Sequence, residues 1–124
     1  MMIRILAAVL GLYHSANALF MLAAPEGWYA AAPGAADSGP YNPHFVVDVG
    51  FAFLAGGLGF LAFAWRPRFR LIAFGASGFL VFHALLHLSG LAQGHAQHLG
   101  VEIGAIAAPA FLGLALAWPR REDL

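Results

Sequence analysis

The stretch NPHFVVDVGFAFLAGGLGFLAFAWRPR, residues 42–68, decides the fold class. Its apolar part, from Pro43 to Trp65, is long enough to cross a hydrocarbon core, which takes about 20 helical residues. Asn42 is a typical helix N-cap, and Pro43 suits the first helical position because its missing N–H has no partner there. Arg66-Pro67 is expected to end the helix. Trp65 beside an arginine is typical of a residue that anchors a helix at a membrane interface.

Three further segments have the same character, and they run from Ile3 to Ala24, from Leu71 to Leu91 and from His98 to Trp118. Ser89-Gly90 is expected to end the third of the four segments, because glycine accepts the left-handed C-terminal conformation. Pro109 should kink the last one, which membrane bundles tolerate when a neighbour satisfies the freed carbonyl. The sequence therefore predicts an all-α fold, a four-helix transmembrane bundle formed by a single domain of residues 1–124.

The composition agrees with a membrane protein. Hydrophobic residues make up 61% of the chain and charged residues 10%, whereas soluble domains have about 45–50% apolar and about 25% charged residues. The net charge is zero and no basic stripe is present, so the expected partner is the lipid bilayer and not a nucleic acid. The chain has no cysteine, which excludes thiolate metal sites and disulfides.

The positions of the arginines predict the orientation. If the chain crosses the membrane four times, all six basic residues fall on one side, and basic residues favour the cytoplasmic side. Both termini are therefore expected in the cytoplasm, with a bacterial inner membrane as the location. Arg4 and the following apolar run also resemble a signal peptide, but the run continues to Ala24, and cleavage would leave three helices. The six basic residues are Arg4, Arg66, Arg68, Arg70, Arg120 and Arg121.

Two further features of the sequence leave alternatives open. The first outer connection, residues 25–42, contains several Pro and aromatic residues, and it could form either a cap over the bundle or a flexible connector.

Small residues at helix-packing spacing mark expected contact faces without assigning helix pairs. They are Gly100, Gly104 and Ala108 in the last segment, Ala52 and Gly56 in the second, and Gly75, Ser77 and Gly78 in the third.

Ionisable residues within the apolar segments are costly, and they are candidates for function. Three pairs are spaced i,i+4, so that both members of each pair lie on one helix face. With a helical rise of about 1.5 Å per residue, the alternating chain directions bring these residues to similar depths in the outward half of the bundle. The set comprises His14 with Asn17, His44 with Asp48, His83 with His87, and His98 with Glu102, while His95 is expected to be an ordinary loop residue.

Imidazole and carboxylate groups together suit a transition metal such as Fe, Cu or Zn. We predict a metal site built from Asp48, His83 and Glu102, completed by His87 or His14, with His44 and His98 as further candidate ligands and Asn17 orienting a ligand by a hydrogen bond. Haem held by His14 and His83 is the less natural choice, because haem needs no nearby carboxylate.

Two other functions fit the same residues. The polar residues could form a hydrogen-bonded network that holds the bundle or a partner, as in a non-catalytic accessory subunit of a larger membrane complex. They could also line a proton or small-ligand pathway, although so small a bundle would need a homo-oligomer to form one. Neither the pattern nor the spacing identifies a catalytic residue, and whether the chain is an enzyme stays open.

The motifs Asn42-Pro43-His44-Phe45-Val46-Val47-Asp48-Val49-Gly50 and His83-Ala84-Leu85-Leu86-His87, separated by a Gly-rich helix and an Arg-Pro-Arg turn, resemble a group of small bacterial four-helix membrane proteins that are loosely DoxX-like. The resemblance implies a four-helix fold and brings no assigned chemistry. Its motif positions fall on His44, Asp48, His83 and His87, whereas His98 and Glu102 rest on spacing alone.

Overall fold

A computed structural model describes residues 1–94 and 97–121, and this part of the chain is helical and contains no strand. The long helices are α1 (Met2–Ala23), α3 (Pro43–Trp65), α4 (Arg70–Ala92) and α5 (Leu99–Ala117), and the short helix α2 (Pro25–Ala31) follows α1. Single 3₁₀ turns at Ala36–Ser38 and Pro67–Phe69 complete the connections before α3 and α4. All four long helices are long and apolar enough to cross a membrane. The all-helical fold with four long apolar helices is thus confirmed.

The helix ends follow local chemistry. The side chain of Asn42 caps α3, because its Oδ1 accepts a hydrogen bond from the backbone N–H of Phe45 at 3.2 Å. Arg66 adopts an extended conformation before Pro67, and this ends the helix. The expected end of α4 at Ser89-Gly90 is wrong, since the helix continues to Ala92. Gly94 has the left-handed conformation there, with φ 93°, and its N–H donates to the carbonyl of Leu91 at 3.0 Å.

The closest helix contact joins α1 to α3 through two glycines. A Cβ atom on Gly57 would lie 2.7 Å from the backbone nitrogen of Ser15, and a Cβ atom on Gly11 would lie 2.9 Å from the backbone nitrogen of Leu61. The two backbones can approach so closely only because both positions lack a side chain. α3 also approaches α4 closely, because a Cβ atom on Gly59 would lie 2.6 Å from the Cβ atom of Ala76, whereas Gly56 is in ordinary contact with Leu80.

Gly100 and Gly104, which the spacing predicts to form a contact face on the last segment, do not lie in a close contact with another described helix. Within the described part of the chain, nothing lies within 4 Å of where a Cβ atom would stand on Gly100 or Gly104, and the same holds for Gly75 and Gly78 of α4. Small residues at the right spacing identify helices that can pack closely, but the spacing does not tell which neighbour uses them. On α5 the close contact is made by Gly113 instead, where a Cβ atom would lie 2.6 Å from the ring of Phe60 of α3.

Arginines stabilise the end of the bundle at which α1 begins, called here the arginine end. Arg4 donates from Nε to the carbonyl of Ala64 at 2.8 Å and from Nη2 to the carbonyl of Trp65 at 2.9 Å, at the C-terminus of α3. Arg70 is buried and donates from Nη1 to the carbonyl of Leu116 at 2.9 Å, near the C-terminus of α5. Each guanidinium pairs carbonyls that lack an intrahelical partner and opposes the negative end of a helix dipole. The opposite end, where α1 leads into α2, is called the loop end.

Candidate functional site

A cavity of about 690 Å³ lies among the four long helices at the loop end, beneath the connection from α2 to α3. It exists because α1 packs against α3, and α5 packs against α4, while α1 and α5 meet only weakly. Most of the wall is apolar. The polar side chains that line it are Tyr13, His14, Asn17, Trp28, Tyr29, Ser38, Asn42, His83, His87 and Glu102.

Residues 25–42 form a cap over this cavity, which settles the choice between a cap and a loose connector. Trp28 donates from Nε1 to Asn17 Oδ1 at 2.9 Å and so fixes α2 to α1. Asp37 Oδ2 lies 2.9 Å from His98 Nε2, and this pair fixes the cap to the start of α5. Gly34 lies over the same imidazole in the left-handed conformation, with φ 85°. Two of the candidate site residues, Asn17 and His98, therefore hold the cap in place.

The shortest hydrogen bond between two described side chains of the cavity wall joins α4 to α5. His87 Nδ1 lies 2.6 Å from Glu102 Oε2, and the exposed fractions of the two side chains are 32% and 15%. When Glu102 is ionised, His87 donates this hydrogen bond, and a charged partner strengthens it. The ring of His83 lies next to that of His87, with 4.6 Å between their centroids. These three predicted site residues are brought to one side of the cavity.

Glu102 opens a stretch of π-helix, Glu102–Ala107, within α5. Such widened turns are rare, and they are frequent at functional sites. In the same stretch, the carbonyl of Ala105 would bond to the residue four positions on in an α-helix, but that residue is Pro109, which has no N–H. Tyr13 of α1 supplies the missing donor, because its Oη donates to the Ala105 carbonyl at 2.8 Å. A neighbouring helix thus supplies a donor for the carbonyl that Pro109 leaves without one, as the sequence predicts.

His14 lies in the wall at the α1 side and is 3% exposed. Neither of its ring nitrogens has a hydrogen-bond partner among the described residues. The ring of Phe53 contacts His14 at a centroid distance of 5.9 Å and His83 at 5.2 Å. Buried polar atoms without partners are costly, so a polar ligand atom that reached His14 from the cavity would stabilise the site.

His44 and Asp48 are not brought to the cavity. They pair with each other, with Nε2 and Oδ2 3.3 Å apart, and their side chains are 87% and 62% exposed. Their i,i+4 spacing correctly places them on one face, but the inward face of α3 is the one that carries Val46 and Gly50. Spacing alone cannot tell which face of a helix that is apolar all round points inward. The remaining histidine of the sequence set, His95, lies outside the described residues.

Among residues 1–94 and 97–121, no group of three or more His, Asp or Glu side chains is arranged to hold a metal ion. The closest approach to the predicted metal site is the set of His83, His87 and Glu102. Sequence reasoning did not single out Phe53, Asp37 or the bonding role of Tyr13. The position of Pro109 was the signal for Tyr13, because a proline in a helix implies a carbonyl that needs another donor.

We expect Tyr13→Phe to lower the thermal stability of the purified protein, because it leaves the Ala105 carbonyl without a donor. Hydrogen bonds between membrane helices contribute about 0.6 kcal/mol on average and rarely more than about 1.7 kcal/mol. Pro109→Ala restores an N–H that can bond to this carbonyl, so the loss should be smaller in the Pro109→Ala background. Melting curves of the two single variants and the double variant measure this coupling. Equal losses in both backgrounds would contradict the role given to Tyr13.

A scan of family models, a search of curated proteins and a search of solved structures find no match to this chain. The resemblance to DoxX-like proteins therefore stays a prediction from two short motifs.

Proposed function

We propose that this protein is a membrane-embedded binding protein whose capped cavity takes a small lipid-soluble molecule. The observation that carries the proposal is the cavity itself, with about 690 Å³ of space at the loop end. Ligand sites of drug-sized molecules measure about 300–1,000 Å³ and combine apolar walls with a few placed polar groups. This cavity has both properties.

The polar groups of the wall indicate what the ligand carries. His14 has two buried ring nitrogens without partners, and the His87–Glu102 pair lies on α4 and α5. A purely apolar ligand would leave the His14 nitrogens unsatisfied. The ligand therefore combines an apolar body, which the walls accommodate, with at least one polar atom that these side chains bind.

A lipid-soluble ligand agrees with the placement that we propose for the chain. The four apolar helices span the membrane, both termini are cytoplasmic, and the cavity lies in the outward half. Large apolar side chains on the outside of the bundle support this, since Leu12, Phe51 and Phe82 are 62%, 57% and 73% exposed. The arginines at the opposite end support the orientation. The resemblance to bacterial proteins supports the bacterial inner membrane as the location.

Cysteine labelling tests this orientation, because the natural chain has no cysteine. Ser38→Cys places a thiol in the exposed cap, and Arg68→Cys places one in the exposed turn before α4. In intact cells, a membrane-impermeant maleimide should label the first variant, and it should label the second only after the inner membrane is permeabilised. The reverse pattern would show that the cavity faces the cytoplasm.

The neutral dye N-phenyl-1-naphthylamine, whose fluorescence rises in apolar surroundings, tests the binding function. We expect saturable binding to the protein in lipid nanodiscs, beyond the partition into empty nanodiscs. Val49→Trp should weaken binding about tenfold, because the indole fills part of the cavity, and a tenfold change corresponds to about 1.4 kcal/mol. Phe51→Trp, on the outside of the same helix, is the matched control and should leave binding unchanged. A dye signal equal to that of empty nanodiscs would refute the proposal.

The metal hypothesis stays a prediction, and we restrict it to His83, His87 and Glu102, because these are the predicted ligands that share one side of the cavity. It predicts stoichiometric Fe, Cu or Zn in protein purified without chelators, and loss of that metal in His83→Ala. Elemental analysis with an optical spectrum measures the metal and also detects haem. Protein free of metal under these conditions would contradict the hypothesis.

The accessory-subunit and oligomeric-pathway functions also stay predictions.

A further inference from the structure

The charge of the cavity wall has one source. Among the described residues that line the cavity, Glu102 is the only Asp, Glu, Arg or Lys. The arginines lie at the arginine end, where Arg4 and Arg70 pair helix carbonyls. The other titratable side chains of the wall are those of Tyr13, His14, Tyr29, His83 and His87. The wall thus presents one carboxylate and no permanent positive charge.

We propose that the cavity binds a lipophilic organic cation, an ammonium or phosphonium ion, with its charged centre beside Glu102. The inference rests on the proposed binding function and names the class of ligand. His87 pairs Oε2 of this carboxylate, and no side chain among the described residues donates to Oε1. Oε1 is therefore the atom that can face a ligand cation. Charges attract more strongly in such apolar surroundings than in water.

The aromatic content of the wall supports the same class of ligand. Aromatic rings attract a cation placed over their faces, and cages of such rings bind quaternary ammonium groups. The rings come from α1, from the cap and from α3, and they line the same cavity as Glu102 of α5. They belong to Tyr13, Phe20, Trp28, Tyr29, Phe45 and Phe53.

Other ligand classes fit the wall less well. A fatty-acid or phosphate anion would meet the Glu102 carboxylate with no arginine or lysine in the wall to offset the repulsion. A neutral apolar molecule would leave Oε1 of the partly buried Glu102 carboxylate without a partner, because His87 bonds only to Oε2, and ionisable groups are costly in a membrane bundle. A cation supplies a partner of opposite charge for this oxygen. The sign of the ligand charge is therefore the property to measure.

Tetraphenylphosphonium and tetraphenylborate test this, because the two ions match in shape and differ in the sign of the charge. Equilibrium dialysis against protein in nanodiscs, corrected for empty nanodiscs, should show saturable binding of the phosphonium and at least tenfold weaker binding of the borate. Glu102→Gln, which keeps the size of the side chain, should weaken phosphonium binding at least tenfold and remove the preference for the phosphonium over the borate. Asp48→Asn is the matched control, because Asp48 lies on the outside of α3, and it should change neither.

The results separate this inference from the proposed function. Suppose that the neutral dye binds while the two ions bind equally, or while Glu102→Gln binds the phosphonium as tightly as the natural protein does. In either case the cavity is a binding site and the cation inference is wrong. If none of the three probes binds, the proposed function fails. If Glu102→Gln does not fold, Glu102→Asp keeps the charge and should keep the preference for the phosphonium. The comparison of the two ions on the natural protein needs no variant at all.

Discussion

The close contact between α1 and α3 is the constraint on which the rest of the structure depends. Gly11 and Gly57 allow the two backbones to approach closely, because neither residue has a side chain to hold them apart. Because α1 packs closely against α3, it makes few contacts with α5, and α5 packs against α4. The bundle is therefore closed on one side and loose on the other, and the looser side contains the cavity. A Cβ atom at Gly57 would disturb this asymmetry, because it would meet the side chain and the backbone nitrogen of Ser15.

Backbone hydrogen bonding accounts for the irregular part of α5. Apolar surroundings offer no water to a carbonyl without a partner, so each one needs a donor from the protein. Pro109 and the π-helical turn free such groups, and Tyr13 satisfies the carbonyl of Ala105. This bond also ties α1 to α5 where their packing is weak. The same turn begins with Glu102, so the irregular backbone and the single wall carboxylate occur together.

Much of the fold could be predicted from the sequence. Apolar length located the four helices, and Asn42, Pro43 and Pro67 located the ends of α3. The site could be predicted only in part. Spacing placed His87 and Glu102 in facing helices at similar depth, and these residues do meet. It also grouped His44 and Asp48 with them, because a helix apolar all round gives no periodic signal for its inward face. The cap residues Trp28 and Asp37 find their partners through the folded chain, and no local pattern reports such contacts.

The weak contact between α1 and α5 has a consequence for how a ligand would be measured. Tyr13 and Phe20 line the cavity, and each is 44% exposed, so in the proposed membrane placement the cavity is bounded there by side chains that the rest of the bundle does not cover. Over the top, the bonds of Trp28 and Asp37 hold the cap closed. For a molecule that enters the cavity laterally from the bilayer, the occupancy of the cavity depends on its concentration in lipid and not on its concentration in water. Apparent affinities would then vary with the ratio of lipid to protein, and mole fraction in the membrane becomes the proper unit of dose.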